Sequence, residues 1–99
     1  MTRIPPFRLR PEPLDDAADL ALGEGFEWAS PEVGRRHQLG GEPAVMSGPP
    51  PMCGACSEQT TFYGQLDSIN DEICLADAGV VTVWVCFSCF DAQARIESG

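Results

Sequence analysis

The alternation of apolar and polar residues is clearest in the C-terminal half of the chain, where it predicts β-strands. Residues 80–86 read VVTVWVC, so valine alternates with threonine and tryptophan at a period of two. Residues 60–66, TTFYGQL, are β-branched and aromatic, and the same period places Phe62 and Leu66 on one face. Residues 92–98, AQARIES, fit either a third strand or a short helix. The pattern therefore predicts a small β-rich domain.

Proline and cysteine divide the chain at one point. All nine prolines lie in residues 1–51 and all five cysteines lie in residues 52–99. We therefore expect a proline-rich, acidic leader (1–51) followed by a compact module (52–99). The leader contains one predicted helix near residues 14–22, which begins after Pro13 and carries aspartates in its first turn. Nine residues are too few for a stable isolated helix, so this helix should form by docking.

The cysteines supply the strongest chemical signal. CGAC (Cys53 and Cys56) is followed by CFSC (Cys86 and Cys89), with 29 residues between the two pairs. Each C-x-x-C can form a tight turn, or knuckle, and two knuckles can direct four thiolates at one Zn²⁺ ion. The first pair precedes a predicted strand and the second follows one. This order predicts a zinc ribbon of two or three antiparallel strands with a closed, structural site.

Other uses of a C-x-x-C pair stay open at the sequence level. A redox pair belongs at a helix N-terminus, which lowers a thiol pKa, but nothing helical is predicted after Cys56. A disulfide framework would leave one of the five cysteines over, and a rubredoxin-like iron site would use the same four ligands. Cys74 lies among acids and is interpreted as a small, half-buried apolar residue. Ser57 and Phe90 occupy the positions after each knuckle where glycine is usual, so the turns must adjust.

Net charge and missing motifs limit the function. The formal charge of −9 argues against nucleic-acid binding, which needs a basic surface to contact phosphates. The sequence contains no phosphate-binding loop, zinc-protease motif or nucleophile elbow, and the single histidine, His37, has no catalytic neighbours in sequence. No apolar run is long enough for a membrane span or a signal peptide, so we expect a cytoplasmic, non-enzymatic protein.

Aromatic residues near the second knuckle indicate a possible binding surface. Trp84, Phe87 and Phe90 could form a small core that covers the metal site. Alternatively, they could form an exposed patch that binds a protein partner. An acidic adaptor or chaperone for a basic client is the function that this composition favours. A nucleic-acid-binding ribbon and a redox or metal-sensing protein are the alternatives.

Several of these motifs together resemble a bacterial group of uncharacterised proteins, the YwqG-like family. They also resemble, more distantly, the C-terminal zinc-bearing region of the programmed-cell-death-protein-two family. The motifs are LGGEP (39–43), CGAC, FYGQLDS (62–68), ADAG (76–79), VVTVWVC and CFSC. The resemblance runs from about Trp28 to the end of the chain.

The resemblance implies a zinc ribbon and a cytosolic protein, with no established activity for the bacterial members. The eukaryotic family implies a chaperone for a ribosomal protein. This chain departs from the pattern at Thr60, where methionine is usual, and at Ala76, where glycine is usual. Typical members are also much longer.

Overall fold

In the part of the chain that the structure describes, five antiparallel strands form one sheet in which neighbouring strands follow sequence order. The computed structural model describes residues 3–24, 33–69 and 73–98. The strands are β1 (Phe7–Arg8), β2 (Gln38–Leu39), β3 (Thr61–Asp67), β4 (Val80–Val85) and β5 (Ala92–Glu97), and one helix, α1, spans Asp16–Glu24. Residues 92–97 thus form a strand and not a helix. The sheet has more than the two or three strands expected, because the leader contributes β1 and β2.

The leader joins the sheet through a glycine turn. Gly40 and Gly41 both have positive φ, at 70° and 71°, a conformation that residues with a Cβ rarely adopt. A Cβ at Gly40 would also clash with the carbonyl oxygen of Pro5. The N–H of Gly41 donates to the carbonyl of Ile4 at 2.8 Å. The two glycines therefore let β1 and its flanking prolines lie directly against β2.

A β-bulge in β3 changes which residues share a face. The pairing with β4 shifts between Phe62, opposite Trp84, and Gly64, opposite Val83. The extra residue moves every later side chain to the opposite face. Phe62 is buried, whereas Leu66 is 52% exposed. The prediction that these two residues share a face is therefore wrong, since simple alternation takes no account of the inserted residue.

The two faces of β4 differ in burial, as its alternation predicts. Val80, Thr82 and Trp84 are buried, and the three intervening valines are half-exposed. Trp84 packs edge-on against Phe62, with ring centroids 5.4 Å apart, and the Arg95 guanidinium lies 5.5 Å from its ring. The opposite face is hereafter called the open face. Its exposed and half-exposed residues are Leu66, Val81, Val83, Val85, Ala92, Ala94 and Ile96. Thr61, opposite Val85, and Gly64, opposite Val83, share this face but are buried.

The leader also packs on the buried face through polar contacts. The Gln65 amide donates to the carbonyl of Arg36 at 2.6 Å and accepts from the N–H of Ala44 at 3.0 Å. The buried Glu97 carboxylate accepts from the N–H of Ser47 at 2.8 Å and forms an ion pair with Arg95 at 2.6 Å. The bonds to Arg36, Ala44 and Ser47 cross Pro51, the predicted domain boundary, and connect residues 36–47 to β3 and β5.

A buried ion pair fixes the start of β2 to the end of β3. Both Asp67 carboxylate oxygens accept from the Arg36 guanidinium, at 2.8 and 2.9 Å. The N–H groups of Gly34 and Arg36 complete the set, at 2.8 and 2.9 Å. Burial raises the pKa of Asp67, but the bonds from Arg36 and Gly34 outweigh it and hold the pKa below its ordinary value. Asp67 is therefore charged in the folded protein.

Helix α1 begins two residues later than expected. The Asp15 side chain caps it by accepting from the N–H of Ala18 at 2.8 Å. Leu14 and Leu20 are 97% and 76% exposed. None of the described helix side chains, residues 16–20, is buried, so the expected docking is not seen among them. In the part of the chain described, no helix has the length and apolar character needed to cross a membrane.

Candidate metal centre

The two C-x-x-C segments form knuckles with the same backbone hydrogen bonds. In the first, the N–H of Cys53 donates to the carbonyl of Glu58 at 2.9 Å, and the N–H of Ser57 donates to the carbonyl of Cys53 at 2.9 Å. In the second knuckle, the N–H of Cys86 donates to the carbonyl of Asp91 at 2.8 Å, and the N–H of Phe90 donates to the carbonyl of Cys86 at 2.8 Å. The sequence repeat is therefore a structural repeat.

The knuckles bring four sulfur atoms together. The Sγ atoms of Cys53 and Cys89 are 3.5 Å apart, and those of Cys56 and Cys86 are 3.6 Å apart. All four sulfurs lie within 4.8 Å of one another. Four thiolates with metal–sulfur bonds of about 2.3 Å in a tetrahedron would lie about 3.8 Å apart. The four predicted ligands are thus positioned to hold one metal ion.

Burial in the cluster alternates between its members. Cys53 and Cys86, the first cysteine of each knuckle, are 3% and 1% exposed, whereas Cys56 and Cys89 are exposed. Cys53 directly follows the β-bridge at Met52 and Cys86 directly follows the end of β4, whereas the second cysteine of each knuckle lies on the outer side of the turn. A bound ion would therefore lie at the protein surface and be anchored from below by the sheet.

The free thiols interact strongly with one another. Backbone N–H groups of Cys89 and Ser88 lower the pKa of Cys86 to about 7. The N–H of Asp91 lowers the pKa of Cys89, but contact with Cys53, burial and the other two sulfurs raise it, to about 12 overall. One thiol therefore loses its proton readily, and the neighbouring sulfurs oppose the loss of a second proton. A divalent cation would offset the repulsion between neighbouring thiolates, so these four sulfurs suit a bound metal ion.

The distances between the sulfur atoms and the strands that follow the knuckles argue against a disulfide and against a helix-activated redox pair. A disulfide needs sulfur atoms about 2.05 Å apart, and all five cysteines of the chain are free here. No helix begins at either knuckle, since Cys56 is followed by β3 and Cys89 by β5. Neither pair therefore has the helix N-terminus that activates a redox thiol.

The residue after each knuckle adopts the conformation that glycine would favour. Ser57 has φ of 63° and Phe90 has φ of 62°. A side chain in this left-handed region is strained by about 1–2 kcal/mol, so these turns form despite the absence of glycine. The expected adjustment is thus a strained residue at each knuckle.

Relief of this strain should stabilise the protein. We expect Ser57→Gly to raise the free energy of unfolding by about 0.5–1 kcal/mol, measured by urea unfolding with excess metal. Ser88→Gly is the matched control, because Ser88 is exposed and does not have positive φ. A Ser57→Gly protein that loses as much stability as the control would show that the turn is not strained.

Only two of the three aromatic candidates reach the surface. Phe90 is 77% exposed and Phe87 is 38% exposed, whereas Trp84 is 3% exposed. Trp84 cannot form part of a partner-binding patch, because its ring lies in the core between Phe62 and Arg95. The indole N–H donates to the Thr82 hydroxyl at 3.1 Å, which satisfies its only polar group. For Phe87 and Phe90, partner binding stays a prediction.

Cys74 and His37 lie outside the cluster. The Cys74 thiol is half-buried and donates to the carbonyl of Ala76 at 3.3 Å. The His37 ring is buried, and its Nδ1 accepts from the N–H of Asp67 at 3.0 Å. His37 thus takes the place of a backbone acceptor between β2 and β3.

The open face is the feature that sequence reasoning missed. The alternation in β4 shows that one face of the strand is apolar and the other is mixed. It does not show which of the two faces the leader covers. The covered side proves to be the mixed one, with Thr82, Gln65 and Glu97 buried in it. The open face is left uncovered by the described residues, and Ile96 and Leu66 are 57% and 52% exposed.

Comparison with known proteins adds no relative. A scan against protein-family models found no match, and searches of curated proteins and of solved structures found none either.

Proposed function

We propose that this protein is a non-enzymatic zinc-ribbon module that binds a basic protein partner in the cytoplasm. The open face carries the proposal. Monomeric proteins rarely expose a contiguous apolar patch of more than a few hundred Å², and larger patches mark interaction sites. Here seven neighbouring positions on three paired strands are apolar, and none is charged.

Zinc is the ion that we propose for the cluster. Four thiolates select Zn²⁺ or iron over Mg²⁺ and Ca²⁺, which prefer oxygen ligands. Four protein ligands leave no open coordination position, so bound zinc would be structural and would neither activate water nor polarise a substrate. The resemblance to the YwqG-like group supports the same assignment.

Charge supports a basic partner over a nucleic acid. The net charge is −9, and Arg3, Arg36 and Arg95 each form an ion pair with an acid of this chain. An acidic protein attracts a basic one through long-range electrostatics and repels phosphate backbones. A chaperone role for a basic client, as the distant programmed-cell-death-protein-two resemblance implies, agrees with this charge.

Charged substitutions on the open face should abolish partner capture. The test is a pull-down from host lysate with wild type and with Leu66→Lys and Ile96→Lys, read by quantitative mass spectrometry. Leu20→Lys is the control, since Leu20 is also exposed but lies on α1. We expect one dominant basic partner in the wild-type and Leu20→Lys captures, and about tenfold less with either open-face variant.

Two checks make the result interpretable. Zinc content and far-ultraviolet circular dichroism must match wild type for every variant. A partner that binds Leu66→Lys and Ile96→Lys as strongly as wild type would refute the role of the open face. If the wild type captures nuclease-sensitive nucleic acid and no protein partner, that result would favour the alternative of a nucleic-acid-binding ribbon.

A further inference from the structure

The two edges of the sheet are protected very differently. β1, at one edge, is two residues long and follows Pro5 and Pro6. β5, at the other edge, is six residues long and has no proline. It places only Ala92, Ala94 and Ile96 on the open face, so no charged side chain on that face opposes pairing with another strand. Edges of this kind pair with another strand unless they are blocked.

The hydrogen-bond pattern shows which backbone groups of β5 point outward. Cys86 lies opposite Asp91, and its N–H donates to the Asp91 carbonyl, so the Asp91 carbonyl points towards β4. Backbone groups alternate along a strand, so those of Gln93, Arg95 and Glu97 also point towards β4. The N–H and C=O groups of Ala92, Ala94 and Ile96 therefore point away from the sheet. They have no backbone partner among the described residues.

We infer that β5 pairs antiparallel with β5 of a second copy of this chain, with a two-fold axis at Ala94. In this register Ala94 faces Ala94, and Ala92 faces Ile96 in both directions. All three outward residues of each copy then form hydrogen-bonded pairs, and their side chains continue the open face across the axis. On the other face Gln93 lies opposite Arg95, so an amide meets each guanidinium.

The neighbouring registers fit less well. An axis at Arg95 would place two guanidinium groups directly opposite each other, which is destabilising. An axis at Gln93 would place Ile96 beyond the partner's strand and leave its N–H unpaired. Only the register centred on Ala94 pairs all the free backbone groups within β5, and its like-charge contacts, Asp91 opposite Glu97 of the other copy, lie at the two ends of the pairing. It also closes the β5 edge of both copies, because an isologous contact leaves no free β5.

Electrostatics gives the dimer a distinctive salt response. Each copy carries a net charge of −9, so two copies repel each other. Repulsion between exposed charges is screened at a Debye length of about 8 Å in 0.15 M salt, and more strongly at higher salt. The dimer should therefore tighten as salt is added, unlike binding to a basic partner, which salt weakens.

Sedimentation equilibrium of the zinc-loaded protein tests the inference. Ala94→Pro removes an outward N–H without removing a β4–β5 hydrogen bond, and proline is tolerated at such edge positions. Ala94→Ser keeps the N–H and is the control. We expect wild type and Ala94→Ser to dimerise with a dissociation constant that falls between about 0.05 M and 0.5 M NaCl. Ala94→Pro should weaken the dimer by about tenfold or more.

A measurement on wild type alone covers the case in which Ala94→Pro fails to fold. Amide exchange of Ala92, Ala94 and Ile96 should slow as protein concentration rises, whereas that of Tyr63 should not change. A wild type that stays monomeric at all salt concentrations would overturn the inference. A dimer that Ala94→Pro leaves intact, or one with no change in exchange along β5, would also overturn it. None of these three results affects the open-face test of partner binding.

Discussion

Removal of the metal with a chelator is expected to unfold the protein. Binding of zinc contributes about 10–16 kcal/mol in small zinc domains, more than the net stability of most domains. Few apolar residues compensate here: the fully buried side chains include Gln65, Glu97, Thr82 and Ser68. Without the metal, no ion holds the four crowded thiols of the two knuckles together. The sheet between them should therefore lose fixed packing.

The measurement is a chelator titration followed by circular dichroism and thermal melting at neutral pH. Cys86→Ser should behave like the chelated wild type, because it removes a buried ligand. Cys74→Ser is the matched control and should keep both metal and melting temperature, since Cys74 lies outside the cluster. A chelated protein that keeps its spectrum and melting temperature would show that the sheet folds without the ion.

The strands and the ligand set could be predicted because local pattern determines them. β4 matches its predicted start at Val80, and β3 is displaced by one residue. The four cysteines were identified from spacing alone, since a knuckle is a local turn that its two cysteines specify. Positive φ at Ser57 and Phe90 agrees with the expectation that these turns need adjustment.

The remaining features depend on contacts between residues distant in sequence. β1 and β2 are two residues each, too short to give a period, and they form only because Gly64 allows β2 to approach β3. A Cβ at Gly64 would lie 2.7 Å from the carbonyl oxygen of Gln38. The bulge at Tyr63 likewise reverses the face of Leu66, and no local signal marks it. Burial of Trp84, predicted as one of two possibilities, depends on which face the leader covers.

Loss of the Asp67 carboxylate is expected to be the largest effect away from the metal. Asp67 is wholly buried and accepts four hydrogen bonds, two from the Arg36 guanidinium and two from backbone N–H groups. Asp67→Ala should lower the free energy of unfolding by about 3–5 kcal/mol, because it leaves a partly buried cation and two N–H groups without an acceptor. Arg36→Met with Asp67→Leu should cost less than Asp67→Ala alone, since no charge is then stranded. Asp77→Asn, at an exposed acid, is the control.

The same carboxylate should give stability a defined dependence on pH. Its pKa is lower in the folded protein than the ordinary 3.8, so its contribution is present above pH 3.8 and is lost as pH falls through the folded value. Acid also protonates the thiolates, so the quantity to measure is the stability difference between wild type and Asp67→Asn at each pH. That difference should be constant near neutral pH and shrink below pH 3.8. A difference that does not change with pH would mean that the lost stability comes from packing, and that the charge of Asp67 does not hold the leader on the sheet.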